Sequence, residues 1–175
     1  NNWITEVSIP SSVTQISERA FRSCTKLKSV HIPFSVTKIG KEAFGQCNDL
    51  EKVTFEFPSS LTLIGGGAFL SCSSLSEISI PSSVTSIGRS TFSNCPKLRK
   101  ISIPSSVTNI EPETFSLCYS LEEVFLHHFL SKIDRNAFYM CRSLKYIFIP
   151  QSVTIIGYQA FYGCSSLKKI SIPRY

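Results

Sequence analysis

Leu75-Ser76-Glu77-Ile78-Ser79-Ile80-Pro81-Ser82-Ser83-Val84-Thr85-Ser86-Ile87-Gly88-Arg89-Ser90-Thr91-Phe92-Ser93-Asn94-Cys95-Pro96-Lys97 is one complete unit of a repeat, and Leu98 opens the next. Its first part alternates, with Ile78 and Ile80 apolar and Glu77 and Ser79 polar. Period-two alternation marks a strand with one buried face. Pro81 ends that strand, because proline has no N–H for the next ladder bond. Ser82 to Ile87 reads as a second short extended piece, and Gly88 suggests a turn that needs positive φ. The Phe-x-x-Cys segment, Ala-Phe-x-x-Cys in most units, is too short for a stable helix, so a single helical or 3-10 turn is expected.

Working outward, the same slots recur along the whole chain. Leu27, Leu50, Leu75, Leu98, Leu121, Leu144 and Leu167 open successive coils at spacings of 23, 25, 23, 23, 23 and 23, and Ile4 holds the equivalent slot in the first. Phe21, Phe44, Phe69, Phe92, Phe115, Phe138 and Phe161 form a second column. Cys24, Cys47, Cys72, Cys95, Cys118, Cys141 and Cys164 form a third, and Pro10, Pro33, Pro58, Pro81, Pro104, Pro150 and Pro173 a fourth. The glycine slot is less strict: Gly40, Gly65, Gly88 and Gly157 share it with Ser17, Glu111 and Asp134.

One such unit cannot bury its own apolar face, whereas stacked units can. The expectation is a β-rich solenoid of the α/β class over residues 1–175, a single domain of about seven coils plus a partial C-terminal coil. It has one parallel strand per 23-residue coil, near Val7, Val30, Val53, Ile78, Ile101, Val124, Ile147 and Ile170. These strands are expected to join one continuous sheet. With strands about 4.8 Å apart, the rod is roughly 35 Å long. Asn1 and Tyr175 both fall inside repeating sequence, so the chain reads as a fragment of a longer array. One coil carries two extra residues, Glu56 and Phe57. An even insertion keeps the in/out phase of a strand, so a tolerated bulge or lengthened strand is expected.

The unit L-x-x-I-x-I-P-S-S-V-T-x-I-G-x-x-A-F-x-x-C-x-x-L, clearest at Leu75 to Leu98 and Leu144 to Leu167, resembles the BspA-like leucine-rich repeats, also called the Treponema pallidum type. The resemblance covers essentially the whole chain. It implies a leucine-rich-repeat solenoid. Such repeats occur in surface proteins of oral and gut bacteria and of parasitic protists such as Trichomonas and Entamoeba. By that likeness, the expected role is a protein-binding or adhesion scaffold, at the cell surface or secreted. Its partner would be a protein, such as an extracellular-matrix, host cell-surface or microbial protein. The alternative is a structural spacer that carries another domain.

Composition excludes several other classes. With 42% hydrophobic and 17% charged residues, the chain has the means for a core and is not disordered. Its apolar runs last only a few residues, so membrane insertion is not expected, and no Met start or apolar signal segment is present. The net charge is +6, with basic residues such as Lys28, Lys52, Lys100, Lys145 and Lys169 spread along the chain. No basic stripe or stacking motif points to nucleic acid. One cysteine per coil spreads thiols along a line, so free buried fillers are expected, with neither disulfides nor a metal site.

No enzymatic activity or cofactor is expected either. His31, His127 and His128 lack an assembled nucleophile and orienting partner. The recurring Ser-Ser pairs read as turn chemistry. Glu111/Glu113 and Glu122/Glu123 read as solvated surface.

The outward strand positions are more informative. Lys52, Glu77, Lys100 and Glu123 alternate in sign along one column, which favours a parallel register by a few tenths of a kcal/mol per pair. The next column reads Ser8, His31, Thr54, Ser79, Ser102, Phe125, Phe148 and Ser171. Small polar residues therefore give way to aromatics. Coil six departs most from the consensus, with His127 in the proline slot and His128-Phe129 in place of Ser-Ser. Phe125, Tyr146 and Phe148 are expected to cluster on the outer sheet face, with His127, His128 and Phe129 at its rim, as a partner-binding patch.

Overall fold

The computed structural model describes residues 3–171. Pro173 of the proline column and both terminal residues lie outside them. Each coil places two short strands in the order the alternation requires. The first set is β1 (Glu6–Ser8), β3 (Ser29–Ile32), β5 (Lys52–Phe55), β7 (Glu77–Ile78), β9 (Lys100–Ser102), β11 (Glu123–Phe125), β13 (Tyr146–Phe148) and β15 (Lys169–Ser171). The second set is β2 (Gln15–Ile16), β4 (Lys38–Ile39), β6 (Leu63–Ile64), β8 (Ser86–Ile87), β10 (Asn109–Ile110), β12 (Lys132–Ile133) and β14 (Ile155–Ile156). All pairings are parallel, and like slots face like slots: Val7 pairs with Val30, Val30 with Val53, and Ile101 with Val124.

The first sheet is not continuous, as the alternation alone suggests. Its order runs β1-β3-β5-β7-β9-β11 and then stops; β13 and β15 pair separately. The second set also divides, into β2-β4-β6-β8 and β10-β12-β14. The two interruptions fall at different junctions. Between coils six and seven, β12 still pairs with β14. Between coils four and five, β7 still pairs with β9.

A third ladder joins the coils on the side away from the strands. Here the structure differs from the expected helical or 3-10 turn. Among the described residues this segment is a run of tight turns, with two left-handed residues per coil, such as Ser90 (φ 54°) and Asn94 (φ 57°). Positive φ in a non-glycine residue costs energy and forbids helix propagation. Hydrogen bonding between coils offsets that cost. Ser90, Phe92 and Asn94 donate their N–H groups to Pro112, Thr114 and Ser116 of the next coil at 2.9, 2.9 and 2.7 Å. The intervening Ser93 bonds back to Ser90 at 3.1 Å. At least two ladders therefore hold every junction between the seven full coils.

The interior is a set of stacked columns. Phe44, Phe69, Phe92, Phe115 and Phe138 are fully buried, with rings parallel to within 11° and centroids 5.4–5.7 Å apart. This step exceeds the roughly 4.8 Å of paired strands. Cysteine fills the space beside each ring. Each Sγ from Cys47 onward donates to the carbonyl of the phenylalanine one coil back, as Cys95 does to Phe69 at 3.2 Å.

All seven cysteines are free; six are buried, and Cys164 is half-buried because it lies in the last coil. Burial pushes the Cys47 and Cys118 thiols up to about 12 and raises Cys72, Cys95 and Cys141 in the same direction. Thiolate is the reactive form, so these groups are inert. Titration after denaturation without reductant is expected to count all seven thiols. In the native chain Cys164 is expected to react first, and rapid modification of Cys95 would contradict the structure.

The glycine column has a different cause from the one its turn position suggests. None of Gly40, Gly65, Gly88 and Gly157 has positive φ; they are sites of close approach. A Cβ on Gly88 would sit 2.4 Å from the Gly66 backbone nitrogen. Where Glu111 fills this slot, among the described residues its N–H makes no bond to Ile87, whereas Gly88 bonds Ile64 at 2.8 Å. That is the junction at which the second ladder opens. Asp134, following Glu111, keeps its bond to Ile110 at 2.9 Å, so the spacing recovers one coil later.

The insertion leaves the strand phase intact. After Phe55, the Glu56 N–H bonds Ile32 at 2.9 Å, and its carboxylate accepts the Phe34 N–H at 2.9 Å. Phe57 points into solvent, and Leu63 returns to register with Lys38.

Candidate functional site

On the strand side, the polar positions between core residues line up by register. Lys52 faces Glu77, Glu77 faces Lys100, and Lys100 faces Glu123, with a 3.0 Å ion pair between Lys100 and Glu123. His31 Nδ1 meets Thr54 Oγ1 at 2.9 Å in the neighbouring column. The carboxylate pairs are spent on such neighbours: Glu122 holds Lys145 at 3.2 Å, and Glu113 accepts the Ser90 hydroxyl at 3.0 Å.

The pattern changes at coil six. Phe125 stands beside Ser102, and Phe148 beside Ser171. Phe125, Tyr146 and Phe148 are 57%, 61% and 66% exposed, so none is used to fill the core. The buried neighbours Val124 and Ile147 do that work. The aromatics also bracket the junction where the first sheet is interrupted.

The rim residues divide into two kinds. In three other coils the serine two places after the proline donates its hydroxyl to the preceding coil, Ser35 to Val13, Ser106 to Val84 and Ser152 to Leu130, whereas Ser83 Oγ in the same slot has no partner. In coil six Phe129 occupies that slot and has no hydroxyl. His127 supplies the missing bond. Its Nε2 reaches the Val107 carbonyl at 2.9 Å, and its Nδ1 accepts the Phe129 N–H at 3.1 Å. Together these contacts require the tautomer protonated at Nε2. His127 also keeps the turn that proline makes elsewhere, since Leu130 N–H bonds its carbonyl at 3.1 Å, as Val107 bonds Pro104 at 3.0 Å. His127 is thus tied into the fold. His128 and Phe129 are exposed, with ring centroids 4.1 Å apart.

A second aromatic group lies on the turn side and was not anticipated. Tyr139 and Tyr162 stack at 5.3 Å, and the Arg142 guanidinium carbon lies 5.1 Å from the Tyr119 ring centroid. Tyr158 is largely exposed nearby in sequence. The signal was available. The slot after the phenylalanine column reads Arg22, Gly45, Leu70, Ser93, Ser116, Tyr139 and Tyr162, which turns aromatic in the same coils.

Six copies of the BspA type leucine rich repeat region match the chain, over residues 1–122 and 85–175. The chain belongs to the BspA-type leucine-rich repeat family. Among solved structures, it is similar to a leucine rich cell surface protein from Faecalibacterium prausnitzii, with 37% identity and TM-score 0.88 over 95% of this chain. It is similar to a leucine-rich repeat protein from Bacteroides ovatus, with 34% identity and TM-score 0.85 over 92% of this chain. The T. pallidum leucine rich repeat protein matches at 26% identity and TM-score 0.61, covering 93% of this chain and 78% of that one. The chain spans 47% and 41% of the length of the first two. No curated protein matches the sequence at a significant level.

A BspA-type solenoid is a repeat scaffold that spreads its side chains along columns instead of converging them on a point. Among the described residues, no group of three or more His, Cys, Asp or Glu is placed to hold a metal ion. Among the described residues, no helix is long and apolar enough to cross a membrane.

Proposed function

We propose that the chain is a BspA-type scaffold at a cell surface that binds another protein through the strand face of coils six and seven. The supporting observation is the replacement of small polar residues by exposed Phe125 and Phe148 in one outward column, and of charged residues by exposed Tyr146 in the column beside it. Large rings in this position expose apolar area without filling the core, and folding alone does not favour that. His128 and Phe129 extend the contact at the rim, and His127 positions them. The surface location is supported by similarity to the F. prausnitzii cell surface protein. A spacer role has one observation in its favour: Ser8, Thr54, Ser79 and Ser102 keep the same column small and polar in most of the preceding coils.

The triple change Phe125→Ser, Tyr146→Lys, Phe148→Ser restores the residue types of other coils. It is expected to leave the melting transition unchanged. Each lost anchor should weaken binding by about 2 kcal/mol. The measurement is biolayer interferometry against a panel of extracellular-matrix and cell-surface proteins. A folded triple variant that binds the same panel members equally well would place the contact elsewhere.

A further inference from the structure

The net charge of +6 is not spread along the array. Residues 1–134 hold twelve Lys or Arg and twelve Asp or Glu, whereas residues 135–175 hold six Lys or Arg and no acid. The last acid, Asp134, is bound to Lys132 at 2.7 Å, which holds its carboxyl below the usual range. On the strand face the alternating column Lys52, Glu77, Lys100, Glu123 continues as Tyr146 and Lys169. Lys169 therefore faces a tyrosine where Lys100 faces carboxylates. Lys145 is taken by Glu122. Lys168 and Lys169 are exposed, and among the described residues neither is in an ion pair. The acid-free stretch thus holds Tyr146 and Phe148 of the aromatic face, and the two acids beside Phe125, Glu122 and Glu123, are already paired with Lys145 and Lys100.

We infer that this face docks an acidic protein segment. Its carboxylates meet Lys168 and Lys169, while an apolar or aromatic side chain covers Phe125, Tyr146 and Phe148. The inference rests on the reading that the face binds a protein, and adds the partner's chemistry. Phe125 and Phe148 carry no polar atom, so the occupant must supply apolar surface, which a sulfated glycan offers poorly. The lysines ask for anions in the same footprint, and acidic polypeptide supplies both. A second copy of this chain does not fit: its own face is cationic, and residues 1–134 are net neutral.

The test is selection of a displayed random-peptide library on the immobilised full chain, followed by affinity measurement on the recovered peptides. The expected peptides carry more Asp and Glu than Lys and Arg, together with an aromatic or large apolar residue. Their binding should fall with rising salt. Lys168→Glu with Lys169→Glu should weaken it about tenfold or more, and Lys168→Gln with Lys169→Gln by less. The aromatic triple change should remove it. Neutral peptides lost in the triple variant would overturn the acidic partner while leaving protein binding in place. Acidic peptides unaffected by the triple variant would move the site off the aromatics and overturn both. Failure to enrich any peptide over the triple variant would do the same. Binding to phosphatidylserine vesicles or heparin, with no peptide recovered, would assign the face to a lipid or glycan surface instead.

Discussion

Phe115→Ala is expected to destabilise the chain by about 3–5 kcal/mol, the cost of truncating a buried phenylalanine. The ring is fully buried and stacked between Phe92 at 5.7 Å and Phe138 at 5.4 Å, so its removal leaves a cavity and breaks two aromatic contacts. In a repeat array the loss falls on interfaces between neighbours, and the coils on either side can separate as a unit. Urea denaturation should therefore show a lower midpoint and a shallower slope, the sign of partial unzipping. Phe161→Ala supplies the control. That ring is only half-buried at the open end and stacks on Phe138 alone, so its truncation should cost less. Equal losses at both positions would mean that the column is not a nearest-neighbour stack.

Gly88→Val should cost about 2–4 kcal/mol through overpacking and a broken ladder bond. Its added Cβ would meet the Gly66 nitrogen at 2.4 Å and the Gly66 Cα at 2.8 Å, and backbone atoms cannot rotate away. Coils three and four must move apart, which lengthens the 2.8 Å bond from Gly88 N–H to the Ile64 carbonyl. Thermal melting with amide exchange at Gly88 checks both parts. An unchanged melting temperature would show that the slot tolerates a side chain there as it does at Glu111.

Much of this was readable from periodicity. The strand positions, buried columns and free cysteines follow from counting, because stacking puts residues one period apart on top of one another. The insertion of Glu56 and Phe57 could be placed because an even number preserves strand phase. The aromatic face was readable for the same reason: Phe125 and Phe148 stand in a column of serines and threonines. The turn-side pair Tyr139 and Tyr162 follows from the same period, but its slot holds Arg22, Gly45, Leu70, Ser93 and Ser116 in other coils, so no uniform polar column sets the two tyrosines apart. The role of His127 was not visible. It depends on a carbonyl of the preceding coil, Val107, that serine hydroxyls serve elsewhere.

The sequence by itself determined which residues share a column, and so the solenoid, its coil number and its core. Column membership depends only on the order of residues. The distance between the backbones of adjacent coils was decided by the tertiary structure alone. That distance makes glycine necessary beside Gly66, opens the ladder at Glu111, and turns Ser90 and Asn94 left-handed so that their N–H groups reach the next coil. A repeat period sets the order of contacts along the stack, but their lengths come from side chains and peptide groups packing at each junction.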